Sequence, residues 1–452
     1  MTAYIVRSET ADEGAPDTPA GSHVLDWAPG EPSAGIDCKT EFFEGWRPSR
    51  AAADMLVLAA AAYCADKTTS RDETPDAWTR SIDLAVPAAG ANTLDGPGFA
   101  RALDFLTGDH WTVSPYAPSA DPLAVLPELR PSLVPLVDID AVSLFSGGLD
   151  SLCGVIDLLE SEPDLRLGLA AHYDSGQATA KQIELHTRLA EHYGKERVVL
   201  RRLWLRPAPA DTRQAHPAPD VVEPTTRGRS ALFLAAALAL ASSVGPDVPV
   251  YVPENGYIAL NVPLTRARTG SASTRTTHPH YMALLHDAAS ASGVRNPLVN
   301  PYELKTKGEM LRDSWNQDLL RELAPMTVSC SHPEAARWQQ RDEGNCGYCF
   351  PCLIRRASLA AVGWDNQSYP WDALSDPGLI QDSDEKRGAD LRAVVNAVFS
   401  KRPDSELFRN APLPAGRHRD YLEVWRRGNA ELRAWIEAGA QGPLAAVVAR
   451  LL

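Results

Sequence analysis

The apolar run AVSLF at 141–145 ends at Ser146, and SGGLDS (146–151) follows before an amphipathic segment begins. A short apolar run that stops at two glycines reads as a strand entering a tight turn. Leu152, Val155, Ile156 and Leu159 then fall on one helical face, so the turn opens a helix. An ordinary βα turn uses Gly where φ is positive and Ser or Asp as the helix cap. This residue set offers more than a turn. Gly147 and Gly148 leave backbone N–H groups bare towards a ligand, and Ser151 adds a donor at the positive end of the helix, where phosphate is favoured. Asp150 is a carboxylate suited to holding magnesium against phosphate oxygens. The spacing is not the GxxxxGK[ST] of a P-loop.

That turn sits in a regular context. Strand-like runs at 141–145, 167–172, 197–203 and 248–252 alternate with helical patterns at 151–159, 181–194 and 230–241. Such alternation predicts βαβ units, hence an α/β fold with a Rossmann-like parallel sheet. Ligands of these sheets bind at the carboxyl ends of strands, at a topological switch point. Upstream, residues 1 to about 40 are rich in Pro, Gly, Ala, Asp and Ser and read as a mobile start. A helix at 49–65 and strand-like runs at 81–86 and 111–115 suggest a small α+β domain, and the proline-punctuated stretch 118–135 reads as a linker. After Gly363 the pattern is helical, and 419–439 carries an apolar stripe that predicts packing on its own domain, with partner binding the lesser reading. Three regions result: 1–136, 137–363 and 364–452.

The net charge of −14 over 452 residues argues against an extended nucleic-acid surface, since phosphate binding needs Lys and Arg. The first residues lack the basic start and apolar core of a secretory signal. The apolar runs MLVLAAAAYCA (55–65) and ALFLAAALALA (231–241) fall well short of the about 20 residues that span a bilayer. A cytoplasmic protein without disulfides is the expectation.

Four of the seven cysteines, Cys330, Cys346, Cys349 and Cys352, form C-x15-C-x2-C-x2-C. Four thiolates at this spacing suit a closed tetrahedral zinc site, with an iron–sulfur cluster as the rival. Cys38, Cys64 and Cys153 read as small core residues, and Cys153 receives no catalytic role despite its place beside the turn. Between Asn261 and Met282 lie Arg266, Arg268, Arg275, His278 and His280 with no acid, a positive island suited to an anionic small substrate. Arg227 and Arg229, before the helix at 230–241, form a second phosphate-seeking group.

SGGLDS resembles the PP-loop of the ATP pyrophosphatase superfamily. With the late four-cysteine motif, the chain is similar to the 7-cyano-7-deazaguanine synthase (QueC) family. DSGQATAKQIEL (174–185) resembles that family's YGQ segment, with Ser175 in the Tyr place. TRGRSALFLAAALALA (226–241) resembles its GRN turn, with Ser230 in the Asn place, and PYELKTKGEML (301–311) its Lys-x-Glu segment, placing Lys307 and Glu309. The resemblance covers about residues 138–362. The extra length before and after, and the long stretch 254–282, make the chain most like the QatC group of antiphage defence proteins.

The resemblance implies ATP, magnesium and zinc as cofactors. It also implies adenylation of a 7-deazaguanine-type carboxylate with release of pyrophosphate, for amide or nitrile formation. Ammonia or an amine of a partner protein would be the acceptor. Partners from a defence operon, an ATPase and a TatD-like nuclease, are implied as well. Asp150, Lys307 and Arg229 would be catalytic. Ser146, Gly147, Gly148, Leu149, Asp150, Ser151, His172, Gly176, Gln177 and Arg229 would bind ATP. Asn255, Gly256, Arg275, Thr276 and His278 would bind the substrate. Two other classes stand beside this one: a tRNA-modifying PP-loop enzyme, and a nucleotide-binding scaffold of a defence complex.

Overall fold

The computed structural model describes residues 2–8, 14–17, 21–31, 35–119, 138–173, 176–209, 219, 221–224, 227–264, 275–340, 344–381 and 386–452. Most of the expected linker, and Arg266 and Arg268, lie outside these. The chain begins with β1 (Thr2–Arg7), β2 (His23–Asp26), β3 (Ile36–Cys38), α1 (Arg50–Thr68), β4 (Ser81–Pro87), α2 (Gly96–Thr107) and β5 (His110–Tyr116). One sheet has the order β2-β1-β4-β5, and all three of its pairings are parallel.

Two expectations are corrected here. The N-terminal part is α/β and not α+β, and the supposed mobile start is an inner strand that buries Tyr4, Ile5 and Val6. The composition of the first forty residues masks this six-residue strand. Helix α2 is hidden for a different reason: its first turn reads GPG, which in sequence marks a loop. Proline in a first helical turn is in fact favourable, and Asp95 caps the turn by accepting from Gly98 N at 2.9 Å. Without that crossover helix the two flanking strands could not be read as parallel.

The second sheet follows from β6 (Ala141–Leu144), α3 (Leu149–Ser161), β7 (Leu167–Tyr173), α4 (Gly176–Tyr193), β8 (Val198–Pro207), α5 (Arg229–Ser242), β9 (Val250–Tyr251), α6 (Gly256–Leu260) and β10 (Leu298–Val299). Its order is β10-β9-β6-β7-β8-β3, parallel except for β3, which pairs antiparallel with β8 at the edge. The chain runs outward from β6 through β7 and β8, then returns to β6 on its other side with β9. That reversal is a switch point, and β6 lies at it.

Helices α1 and α5 pack against each other between the sheets, which explains why both are apolar on nearly every side. One core accordingly joins Tyr4 and Leu84 of the first sheet to Val142, Leu203 and Val250 of the second. The expected boundary at 136/137 runs along this shared core. The region after 363 is helical, including Ala389–Phe399, His418–Gly439 and Gly442–Leu451. Tyr421, Trp425 and Ile436 of the long helix bury themselves with Leu260, Cys346 and Cys352, so this core too spans an expected boundary. Among the described residues no helix is long and apolar enough to cross a membrane.

Candidate functional site at the switch point

The turn after β6 is held from several sides. Gly147 has φ +81°, which favours glycine, and a Cβ there would also lie close to Gln182 Cγ, at 3.3 Å. Gly148 N donates to Ser146 Oγ at 3.2 Å, and Ser151 Oγ donates to the Gly148 carbonyl at 2.9 Å. Buried Gln182 on α4 donates to the carbonyls of Ser146 and His172, both at 3.4 Å. From far along the chain, Val328 N donates to the Gly147 carbonyl at 3.1 Å and Ser329 Oγ accepts from Leu149 N at 3.3 Å.

Asp150 is the hub. Its Oδ1 lies 2.9 Å from Lys307 Nζ, and its Oδ2 accepts from Asn255 Nδ2 at 2.7 Å and Asn255 N at 3.3 Å. Asp150 follows β6 and Asn255 follows β9, so this bond bridges the switch point. Asn255 also caps α6, its Oδ1 accepting from Ile258 N at 3.0 Å. Gly256 is required where it stands, because a Cβ would fall 2.0 Å from the Glu303 carbonyl oxygen.

Lys307 opens the short helix Lys307–Arg312, which has a Thr306/Glu309 capping box. The C-terminal helix grips this start. Glu431 accepts from the Thr306 hydroxyl and from Gly308 N at 3.4 Å, and Arg427 Nε donates to Glu309 at 2.6 Å. Sequence reading missed both residues, because each acts over more than a hundred positions.

On the other side of β6, Arg229 Nε donates to His172 Nδ1 at 3.0 Å and Arg229 Nη2 to the His172 carbonyl at 3.3 Å. Accepting at Nδ1 makes His172 the Nε2–H tautomer, which donates to the Leu205 carbonyl at 2.9 Å. Helix α1 completes this wall: Tyr63 packs edge-on to His172, and Asp66 Oδ2 accepts from Gly228 N at 2.7 Å. Gly176 and Gln177 open α4 beside it, but their side chains lie outside the described residues.

The residues expected at the substrate divide. Thr276 Oγ1 meets Ser230 Oγ at 2.8 Å, which brings it to the rim beside Arg229. Arg275 instead donates to the Phe105 carbonyl at 2.8 Å and stacks over the Phe105 ring. His278 packs on the same ring, and burial pushes its imidazole down to about 3, so it carries no charge at neutral pH. Arg227 also turns away from Arg229, to the Thr107 carbonyl and the Trp78 ring. The positive island is thus partly consumed in packing against α2.

One neighbour was not singled out in sequence. Glu254, immediately before Asn255, accepts from Thr277 Oγ1 at 2.7 Å. Burial pushes its carboxyl up to about 7, with Asp150 adding to the rise and Lys307 opposing it.

The four cysteines converge, their sulfurs all within 4.8 Å of one another. Cys330–Cys349 and Cys346–Cys352 are each 3.8 Å apart. With Zn–S at about 2.3 Å, a tetrahedron has edges of about 3.8 Å, so the cluster fits zinc. Backbone N–H groups of His332 and Cys346 point at Cys330 Sγ at 3.3 Å, and that of Cys349 at Cys346 Sγ at 3.4 Å, as thiolates favour. Cys330 directly follows Ser329, so the cluster and the turn after β6 share one strap. Asn345 ties that strap, accepting from Ser329 N at 2.9 Å and donating to the Thr327 carbonyl at 3.0 Å. Cys153 is fully buried and its thiol is pushed well up by burial, as befits an inert core residue.

A cavity of about 760 Å³ lies on the far side of the Lys307 helix, lined by Glu309, Arg312, Ala357, Ala434 and Trp435 among others. Neither Asp150 nor any residue of the turn lines it.

No protein-family model matches the chain, and a search of curated proteins finds no match.

Proposed function

We propose that this protein is a PP-loop enzyme that splits ATP between the α and β phosphates, adenylating a 7-deazaguanine-type carboxylate and releasing pyrophosphate. The acyl group then passes to an amine, forming an amide or a nitrile, in an antiphage defence setting with protein partners. The observation that carries this reading is the meeting of Asp150, Lys307 and Asn255 across the switch point, directly behind the glycine turn. Parallel sheets place nucleotides at such a point, and helix N-termini favour phosphate.

The chain's own groups suffice for positioning and charge stabilisation. Backbone N–H groups of 147–149 and the hydroxyls of Ser146 and Ser151 would bind phosphate oxygens. Lys307 would turn from Asp150 to the α-phosphate, where charge builds as the carboxylate attacks. Arg229, whose Nη1 has no partner among the described residues, would face the phosphates from the α5 side. Asp150 fits magnesium, because its Oδ1 already faces a cation. When bound, the ion would neutralise phosphate charge. Zinc would be held by Cys330, Cys346, Cys349 and Cys352 and would act structurally.

The test is product analysis with ATP, magnesium and 7-carboxy-7-deazaguanine. AMP and pyrophosphate are expected, and ADP would refute the reading. Asp150→Asn and Ser146→Ala should each suppress pyrophosphate release while the fold persists.

One feature favours a nucleic-acid substrate as a second reading. Arg202 lies 4.9 Å over the Tyr173 ring, and Lys39 and Arg206 lie 4.8 and 5.0 Å over Trp204, a basic and aromatic strip of the kind that suits single strands. Salt-dependent binding of single-stranded RNA, lost in Arg202→Ala, would support it.

A further inference from the structure

The cavity of about 760 Å³ beside the Lys307 helix has the size of a small-molecule site. Its walls come from the helices Phe350–Ala361 and His418–Gly439 and from Glu309 and Arg312 of the Lys307 helix. Ala357 and Ala434, small side chains on the first two, leave the space open, and Trp435 adds an apolar face. The carboxylates on the wall are all bonded to the protein. Glu309 accepts from Thr306 N at 2.8 Å and from Arg427 Nε at 2.6 Å. Glu431 accepts from the Thr306 hydroxyl and from Gly308 N, and Asp365 from Arg356 Nε at 3.2 Å and the Tyr369 hydroxyl at 3.0 Å. The donors are left over. Trp435 is 6 % exposed, and its indole N–H has no acceptor among the described residues. Arg427 Nη1 has no partner among them either, since Nε and Nη2 make that residue's bonds. The Arg312 guanidinium makes one ion pair there, Nε to Asp313 Oδ1 at 3.6 Å. A buried donor without an acceptor is costly and uncommon in folded proteins.

We propose that this cavity binds a small apolar molecule carrying one carboxylate, and that its occupancy speeds the reaction through the Lys307 helix. Donors in surplus call for an acceptor on the ligand, and a guanidinium can hold a carboxylate through two parallel N–H···O bonds. The alanine walls and the Trp435 ring receive the apolar body. Three carboxylates against two guanidinium groups on the wall disfavour a dianion, so a carboxylate suits the site better than a phosphate monoester. The walls are also the clamp on Lys307. Arg427 holds Glu309, and Glu431 holds Thr306 and Gly308, around the start of the helix that carries Lys307. A ligand on Arg427 Nη1 leaves the Nε bond to Glu309 in place and fixes the guanidinium from a second side. A firmer clamp keeps Lys307 in position for the phosphates. The effect on rate rests on the adenylation reading above, whereas the binding does not.

Calorimetric titration of the full chain tests the site with three probes that share one apolar body: biphenyl-4-carboxylate, biphenyl-4-carboxamide and 4-biphenylyl phosphate. The carboxylate should bind at one site per chain, about tenfold tighter than the carboxamide, the scale of one charge-assisted hydrogen bond. The phosphate should bind no tighter than the carboxamide. Arg312→Ala should weaken the carboxylate about tenfold and leave the carboxamide unchanged. Ala434→Trp, which fills the cavity, should abolish binding of all three. Both positions are exposed, so both variants should melt as the wild type does. No saturable binding of the carboxylate, equal affinity for the three probes, or binding that survives Ala434→Trp would overturn the site. Pyrophosphate release with ATP, magnesium and 7-carboxy-7-deazaguanine tests the effect on rate. Saturating biphenyl-4-carboxylate should raise it about fivefold in the wild type, the low end of couplings between sites, and not in Ala434→Trp. An unchanged or lowered wild-type rate would overturn the effect. A wild type that releases no pyrophosphate would overturn the adenylation reading and the effect with it, while the titration still decides the site.

Discussion

Two clusters of buried ionisable groups in this protein are built on opposite principles. In the N-terminal region, Arg80 bonds Asp109 at 3.1 and 2.6 Å and also grips Asp66, while Arg71 bonds Asp109 at 2.9 and 3.1 Å. Two guanidinium groups serve Asp66, Asp109 and, from Arg71 Nε at 3.9 Å, Glu223, and further donors go to main-chain carbonyls. Burial alone would raise the Asp109 carboxyl, but Arg80 outweighs it and holds the group below the usual carboxylate range. At the switch point, by contrast, Lys307 pairs with Asp150, and burial pushes the Glu254 carboxyl up to about 7. The saturated cluster fixes geometry: Asp66 reaches out to Gly228 N and so sets the start of the Arg229 helix. The unsaturated cluster keeps the capacity to change charge, which chemistry requires and stability does not reward.

The four-cysteine cluster extends the contrast, because it too braces the turn from outside. Structural zinc contributes about 10–16 kcal/mol of apparent binding energy in small domains, so Cys349→Ser should unfold or aggregate the protein. Elemental analysis should give one zinc per chain, and iron with visible absorbance would point instead to a redox cluster.

The next effect tests the saturated cluster. Asp109→Ala strands Arg71 and Arg80 in the interior and should cost about 3–5 kcal/mol in denaturant unfolding. A cost below about 1 kcal/mol would erase the distinction between the two clusters.

Glu254→Gln should act in the opposite direction. The folded carboxyl titrates above its ordinary value, so its contribution to stability is full below about pH 4.5 and is lost as pH rises through about 7. Removing the charge should stabilise the protein by on the order of 1–3 kcal/mol at pH 9 and leave it unchanged at pH 4. Thermal melts across pH read this without any substrate.

Arg427→Ala loosens the Glu309 cap of the Lys307 helix and should lower pyrophosphate release on the order of tenfold through misplacement of Lys307. The Asp109 cluster should not feel it, so unfolding should shift by about 1 kcal/mol or less. The smallest effect belongs to Ser329→Ala, which removes one hydroxyl from the turn and should cost about 0.5–1.5 kcal/mol, with a weakened nucleotide affinity as its readout.

Much of the second sheet was legible because each strand and helix there carries its own period. The four thiols were legible because metal ligands must recur at short, fixed spacings. The first sheet was misread where the local signals conflicted, at a strand inside a Pro- and Gly-rich stretch and a helix that starts GPG. Arg275 and His278 show a further limit. Their charge was read as available, and only packing on Phe105 reveals that it is spent.

The sequence by itself determined the glycine turn between strand and helix, the cysteine cluster and the α/β alternation, since each depends on residues within one or two turns of chain. Tertiary structure alone decided which groups meet. Asp150 with Lys307 and Asn255, Ser329 with Leu149, Glu431 with Thr306 and Asp66 with Gly228 are each joined across 105 to 180 positions. No local propensity encodes such contacts. They follow from the order of strands around β6, which sets carboxyl ends side by side that the chain visits far apart.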